Sequence, residues 1–188
     1  AIPHDWRRCL TIDYGLDMLA ALWIAQSPDG HSVVYRELYR PGLIISDAAA
    51  QMLACETAGE HIDCRLAPPD LWNRRQETGR SAVELFADSG LDFVKSSNER
   101  APELALHELL QPRKDTDGAV RPRLTIFDTC HNLIRTLPAL QHDKRNPSDT
   151  ANTPHELTHA PDALRGYAAT VYEPVKAMPQ SAYDCEVG

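Results

Sequence analysis

Polar and apolar positions alternate at the start of the chain. Arg8-Cys9-Leu10-Thr11-Ile12-Asp13 runs up to Gly15, the pattern of a half-buried strand entering a turn. With a period of two, Leu10 and Ile12 share one face while Thr11 and Asp13 share the other. Leu19 to Ala25 is then apolar without a break, and Ser27-Pro28-Asp29-Gly30 is a strong turn signal. His31 to Tyr39 is rich in β-formers. The three segments predict a three-strand antiparallel meander.

Further along, the rhythm changes. A helix is predicted from about Ser46 to Ala58, with Ile45, Ala49, Met52 and Leu53 along one side and Gly59 as its stop. Ile62 to Leu66 reads as a short strand ending in Ala67-Pro68-Pro69-Asp70. Ser81 to Ser89 reads as a helix closed by Gly90, and Leu91 to Lys95 as a brief strand. Pro102 to Leu110 is a helix with proline in its first turn. Asp115-Thr116-Asp117-Gly118 marks a loop or hairpin tip, Leu124 to Phe127 a strand, and His131 to Leu137 a helix stopped near Pro138. The polar stretch from Gln141 to Pro154 reads as a long loop, and the last helix as about Pro161 to Val171. The order β-β-β-α-β-α-β-α-β-α-α predicts an α/β fold, a mixed sheet with helices on both faces. No internal repeat or low-complexity tract interrupts it.

Length and composition narrow the class. A chain of 188 residues supports one good-sized core and is expected to be a single domain, 1–188. Hydrophobic residues at 43% and charged residues at 24% are ordinary for a globular protein. No apolar run approaches the length of a transmembrane helix, and the first residues lack the basic-then-apolar pattern of a signal peptide. The missing initiator methionine suggests a piece of a longer protein. Five cysteines, odd in number and without a CxxC pair, fit buried thiols in a reducing setting. The net charge of −8 and pI near 5.4 argue against a DNA-coating protein. They remain compatible with a nuclease, whose metal site needs clustered carboxylates and whose phosphate contacts need only a local basic patch.

Three acids stand at chemically suggestive places. Asp13 ends a strand that otherwise reads as central, where an acid is costly unless paired or metal-bound; it would equally serve to begin a turn. Asp70 follows the strand at Ile62 to Leu66 and also fits a turn or cap, while Asp63 and Asp17 read as solvent-facing. His155-Glu156-Leu157-Thr158-His159 matches HExxH, the zinc metalloprotease pattern, which needs both imidazoles on one continuing helix. Pro154 and Pro161 flank it closely, and an interior proline costs a helix roughly 3 kcal/mol. The metzincin extension would need glycine where Asp162 stands and histidine where Arg165 stands. Pro161 instead suits the first turn of a new helix, with Asp162 projecting from that turn and His159 just before it. No Walker A loop is present.

Taken in order, these segments resemble the C-terminal nuclease domain of tailed-phage terminase large subunits, which is ribonuclease-H-like. The resemblance spans about Arg8 to Ala169. It rests on Ile12-Asp13-Tyr14-Gly15, Arg36-Glu37-Leu38-Tyr39, Pro68-Pro69-Asp70-Leu71-Trp72-Asn73-Arg74-Arg75, Thr78-Gly79-Arg80-Ser81 and Ser97-Asn98-Glu99-Arg100. His159-Ala160-Pro161-Asp162-Ala163-Leu164-Arg165 closes it, similar to the family ending His-x-x-Asp-Ala-x-Arg-Tyr. The chain departs from the family in three places. Thr158 stands where an acid often precedes the final histidine, Gly166 separates Arg165 from Tyr167, and Asp70 lies two residues beyond the acid of the family's Asp-Pro-x-x-Trp pattern.

The resemblance implies a metal-dependent DNA endonuclease that cuts concatemeric viral DNA during genome packaging. Asp13, Asp70 and Asp162 would hold two Mg²⁺ or Mn²⁺ ions, with His159 beside them as a supplementary ligand or proton relay. Arg74, Arg75, Arg80 and Lys95 would be phosphate contacts, and Trp72 a packing anchor. Double-stranded DNA is the implied substrate; the portal protein, the small terminase subunit and the subunit's own ATPase domain, absent here, are the implied partners. The implied location is the host-cell cytoplasm. Two other classes stay open: a zinc protease through the HExxH segment, and a non-cleaving docking module of the packaging motor. A recombination nuclease of the same fold is a nearer rival.

Overall fold

The meander forms as predicted: β1 (Arg7–Tyr14), β2 (Leu19–Gln26) and β3 (Ser32–Arg40) pair antiparallel. The structure is a computed structural model and describes residues 2–76, 78–97, 102–114, 118–141 and 154–171. The unbroken apolar run of β2 has a physical reason, since both its faces are covered. Ala20, Leu22 and Ile24 enter one core, and Leu19, Ala21 and Trp23 enter the other.

After the meander come α1 (Ile45–Cys55), β4 (Cys64–Ala67), a 3-10 turn at Pro69–Trp72, α2 (Ala82–Asp88) and β5 (Val94–Lys95). Then follow α3 (Pro102–Leu110), a small hairpin of β6 (Arg113–Lys114) and β7 (Val120–Arg121), β8 (Leu124–Ile126) and α4 (His131–Thr136). A 3-10 turn at His155–Leu157 leads into α5 (His159–Val171). The main sheet is mixed, in the order β5-β4-β1-β2-β3-β8. β4 runs parallel to β1, with Thr11 beside Leu66, and β8 runs parallel to β3. Helices α1 and α2 cover one face, over Leu10, Ile12 and Trp23; α3, α4 and α5 cover the other. None of the described helices is long and apolar enough to cross a membrane.

Several boundaries move. The helix expected to reach Ala58 ends at Cys55, and the strand expected at 62–66 lies at Cys64–Ala67. Only Val94 and Lys95 of the expected 91–95 strand pair; Leu91 is wholly buried in the α2 core instead. The last helix begins at His159, which puts Pro161 in its first turn, where no intrahelical donor is lost. The expected tip Asp115-Thr116-Asp117 and most of the 141–154 loop fall outside the described residues, as do Asn98, Glu99 and Arg100.

Local polar groups fix the helices over the sheet. Ser81 and Glu84 form a reciprocal capping box at the start of α2. Glu37 reaches from β3 to accept the backbone N–H groups of Asn132 and Leu133, at 3.0 and 2.7 Å, capping α4 from the sheet. Helix α5 lies close over β1: the buried Thr11 hydroxyl donates to the Ala163 carbonyl at 2.8 Å. Gly166 lies at that seam, where a Cβ would make ordinary van der Waals contact with Thr11 Oγ1 and Ser96. Tyr167 follows and shares a 2.8 Å hydrogen bond with Ser32 Oγ on β3.

Candidate functional site

Asp13 is the next-to-last residue of β1, on the same strand face as Thr11, and so faces α5. The Thr11–Ala163 bond sets α5 over the strand, and that packing brings the first helical residue, His159, onto Asp13. His159 Nδ1 lies 2.8 Å from Asp13 Oδ2. His159 as a whole is 4% exposed. The hydrogen bond to Asp13 raises the His159 pKa above its ordinary value; burial opposes the rise, and the Asp13 and Asp17 charges reinforce it.

A second acid meets the same ring from the other side. His159 Nε2 is 3.5 Å from Asp17 Oδ2, and His155 Nδ1 is 3.3 Å from that same oxygen. The two imidazoles stand edge to face, with centroids 4.6 Å apart. Asp17 lies in the turn between β1 and β2, where Gly15 leaves it room: a Cβ on Gly15 would run into Asp17 Oδ1. Among the described residues, Asp17, His155 and His159 are the one group of three or more acidic, histidine or cysteine side chains whose donor atoms all lie within 4.8 Å of one another.

The sequence reading did not foresee this group. Asp17 is exposed, as expected, yet it joins both histidines of the HExxH segment. The prolines act as predicted: no single helix runs through 155–159, since a 3-10 turn at His155–Leu157 gives way at Thr158 to α5. The protease requirement of two imidazoles on one continuous helix is therefore not met. A change of helical path at Thr158 brings them together instead.

The other predicted residues are more dispersed. Asp162 lies one turn along α5 from His159, and its Oδ1 is taken by the guanidinium of Arg165. Arg165 is 8% exposed and also binds Glu103 of α3 at 2.8 Å. Asp70 is exposed on the 3-10 turn after β4. Asp13, Asp70 and Asp162 do not bring their oxygens within 4.8 Å of one another as a set. Of the predicted catalytic residues, Asp13 and His159 touch directly.

The sheet nonetheless directs two of the three acids, Asp13 and Asp70, toward one end. Strands β1 and β4 are parallel neighbours, so their C-terminal ends open on the same edge. Asp13 lies two residues past the Thr11–Leu66 pair on one strand, and Asp70 four residues past it on the other. Among the expected cations, Lys95 places Nζ 5.3 Å from the Trp72 ring centroid, beside the Asp70 turn. Arg74 is 3.5 Å from Glu84, and Arg80 is 2.6 Å from Asp88, so acids of α2 hold both. Arg75 lines a cleft of about 420 Å³ together with Tyr14, Leu16 and Ile44.

No family model matches the sequence, and no curated protein matches it. In three dimensions the chain is similar to the nuclease domain of the P22 large terminase, with a TM-score of 0.67 and 16% identity over 90% of this chain and 83% of that one. It is also similar to the large terminase nuclease domain of bacteriophage SPP1, solved with bound Mn: TM-score 0.52, 15% identity, 86% of this chain and 83% of that one. At such identities the likeness is one of fold. The chain has the ribonuclease-H-like fold of these nuclease domains, as its motifs implied.

Proposed function

We propose that this chain is a divalent-metal-dependent endodeoxyribonuclease, the nuclease domain of a phage large terminase subunit that cuts concatemeric DNA during packaging. The observation that carries the reading is Asp13: an acid at the C-terminal end of a central strand, fixed by a buried histidine, in a fold shared with phage terminase nuclease domains.

The donors suit the proposed metal. Asp13, Asp70 and Asp162 offer only carboxylate oxygen, the chemistry preferred by Mg²⁺ and Mn²⁺; Asp13 lies at the end of β1, and Asp70 on the turn that follows its parallel neighbour β4. A pair of such ions, when bound, activates a water and stabilises the leaving 3′ oxygen in phosphodiester hydrolysis. His159 acts on Asp13: by holding Oδ2 it restrains the carboxylate, whose Oδ1 would then serve as the metal ligand. Arg165 does the corresponding work at Asp162. Lys95 and Arg75 are the cations best placed to meet DNA phosphates, while Arg74 and Arg80 would first exchange their bonds to Glu84 and Asp88. By the same reading the partners are double-stranded DNA, the portal protein, the small terminase subunit and an ATPase domain of the same subunit, in the host-cell cytoplasm.

The test is cleavage of supercoiled plasmid by the purified 188-residue chain with Mn²⁺ or Mg²⁺, against a chelator control. Cleavage is expected with metal and is lost in D13A, with the circular dichroism spectrum unchanged. Absence of Mn²⁺-dependent cutting by the intact chain would sink the proposal. The pairing of Asp162 with Arg165 favours one second reading, a module that docks the motor on DNA without cutting. In that case the chain binds DNA, and D13A binds as well as the parent.

A further inference from the structure

We propose that Asp17, His155 and His159 form a binding site for one divalent transition-metal ion of the zinc class, separate in chemistry from the carboxylate set of the nuclease. Two imidazole nitrogens and one carboxylate oxygen are a mixed donor set that prefers zinc and its first-row neighbours to Mg²⁺. The two separations from Asp17 fit as well, and all three donors lie within 4.8 Å of one another. A tetrahedral ion with bonds of roughly 2.1 Å needs its donors about 3.4 Å apart. Asp17 Oδ2 stands 3.3 Å from His155 Nδ1 and 3.5 Å from His159 Nε2.

The surroundings are arranged as metal-binding histidines require. A ligating imidazole is held by a hydrogen bond from its other nitrogen, to a carboxylate, a backbone carbonyl or water. His159 has that partner: Nδ1 is 2.8 Å from Asp13, which leaves Nε2 directed at Asp17. The ring is 5% exposed in its side chain, whereas Asp17 and His155 are 58% and 66% exposed. One ligand is thus built into the fold and two stand at the surface, where an ion can enter and a solvent molecule can complete its shell. Gly15 supplies the space for the Asp17 carboxylate.

One consequence links the two sites. A His159 ligated through Nε2 carries its remaining proton on Nδ1, so Asp13 Oδ2 is then fixed as the acceptor. Occupancy of the outer site would lock the orientation of the acid that the nuclease uses.

Titration of the intact chain with Co²⁺, a spectroscopic stand-in for zinc, tests the proposal without reference to cleavage. One equivalent is expected to produce the intense visible absorption of a four-coordinate ion, to be displaced by Zn²⁺, and to survive excess Mg²⁺. H155A and D17N, both at exposed positions, are expected to weaken binding at least about 10-fold while keeping the thermal midpoint. D70N, outside the cluster, is expected to leave the spectrum unchanged. Absence of the visible band, its loss in excess Mg²⁺, or an unaltered titration in H155A would each overturn the proposal. A chain that binds Co²⁺ in this way but cuts no DNA refutes the nuclease reading alone.

Discussion

His159, the first residue of α5, holds Asp13 of β1 at 2.8 Å across 146 positions of sequence. In the proposed nuclease, where Asp13 is a metal ligand, the residue that orients it is worth about 10- to 100-fold in activity. H159F is therefore expected to lower Mn²⁺-dependent plasmid cleavage by that factor. H159Q keeps a donor for the carboxylate and should recover most of the loss. Single-turnover rates at saturating DNA separate this from a binding defect; equal rates for H159F and H159Q would remove His159 from its role over Asp13.

Acid stability should report on Glu60. Burial pushes its carboxyl pKa up, but bonds from the Tyr35 hydroxyl at 2.7 Å, the Thr57 N–H at 3.1 Å and Arg36 at 2.9 Å outweigh it and bring the value to about 2. A folded pKa below the ordinary 4.5 means stability that is complete above that value and lost as pH falls from 4.5 toward 2. Urea midpoints should therefore drop across this window in the parent and change less in E60Q. Parallel curves would show that Glu60 contributes nothing to the acid limb.

Arg165 joins α3 to the turn that carries Asp162. Its side chain is 9% exposed, against 20% for Glu103 and 36% for Asp162, so solvent partly screens the pair. R165A is expected to cost about 1–3 kcal/mol, measured as a shift in the urea midpoint. A cost near zero would mean that α3 and α5 are held by apolar packing alone.

Gly15 tests room rather than backbone. It is absent from the positive-φ glycines, so alanine there brings no strain of conformation. The added Cβ would displace the Asp17 carboxylate. G15A is expected to keep the thermal midpoint and yet weaken Co²⁺ binding, like D17N. A loss of stability without a change in metal affinity would place the effect in the β1–β2 turn itself.

The parts legible in the sequence are those set by local rules. The alternation through Thr11 and Asp13 placed both on one strand face, and α5 now covers that face. Pro102 marked the start of α3, and Pro161 the first turn of α5. Asp17 escaped because nothing near it in sequence signals its partners: His155 and His159 arrive from the far end of the chain, through packing. The expected 91–95 strand shrinks to Val94–Lys95 for a related reason. Leu91 is apolar because α2 packs on it, and periodicity does not distinguish that burial from a strand. Asp70 has the surroundings its turn residues predict, exposed after β4, and only the parallel pairing of β1 and β4 relates it to Asp13.

The ends of the main sheet bear on how copies of the chain behave beside one another. The outermost strands are β5, of two residues, and β8, of three, while the long strands lie between them. An outer strand this short exposes few backbone donors and acceptors for a foreign strand to join. On the β8 side that cover is brief: β8 pairs with β3 only from Ser32 to Val34, so among the described residues the stretch of β3 from Tyr35 to Arg40 is where a strand of a second copy would find room to pair.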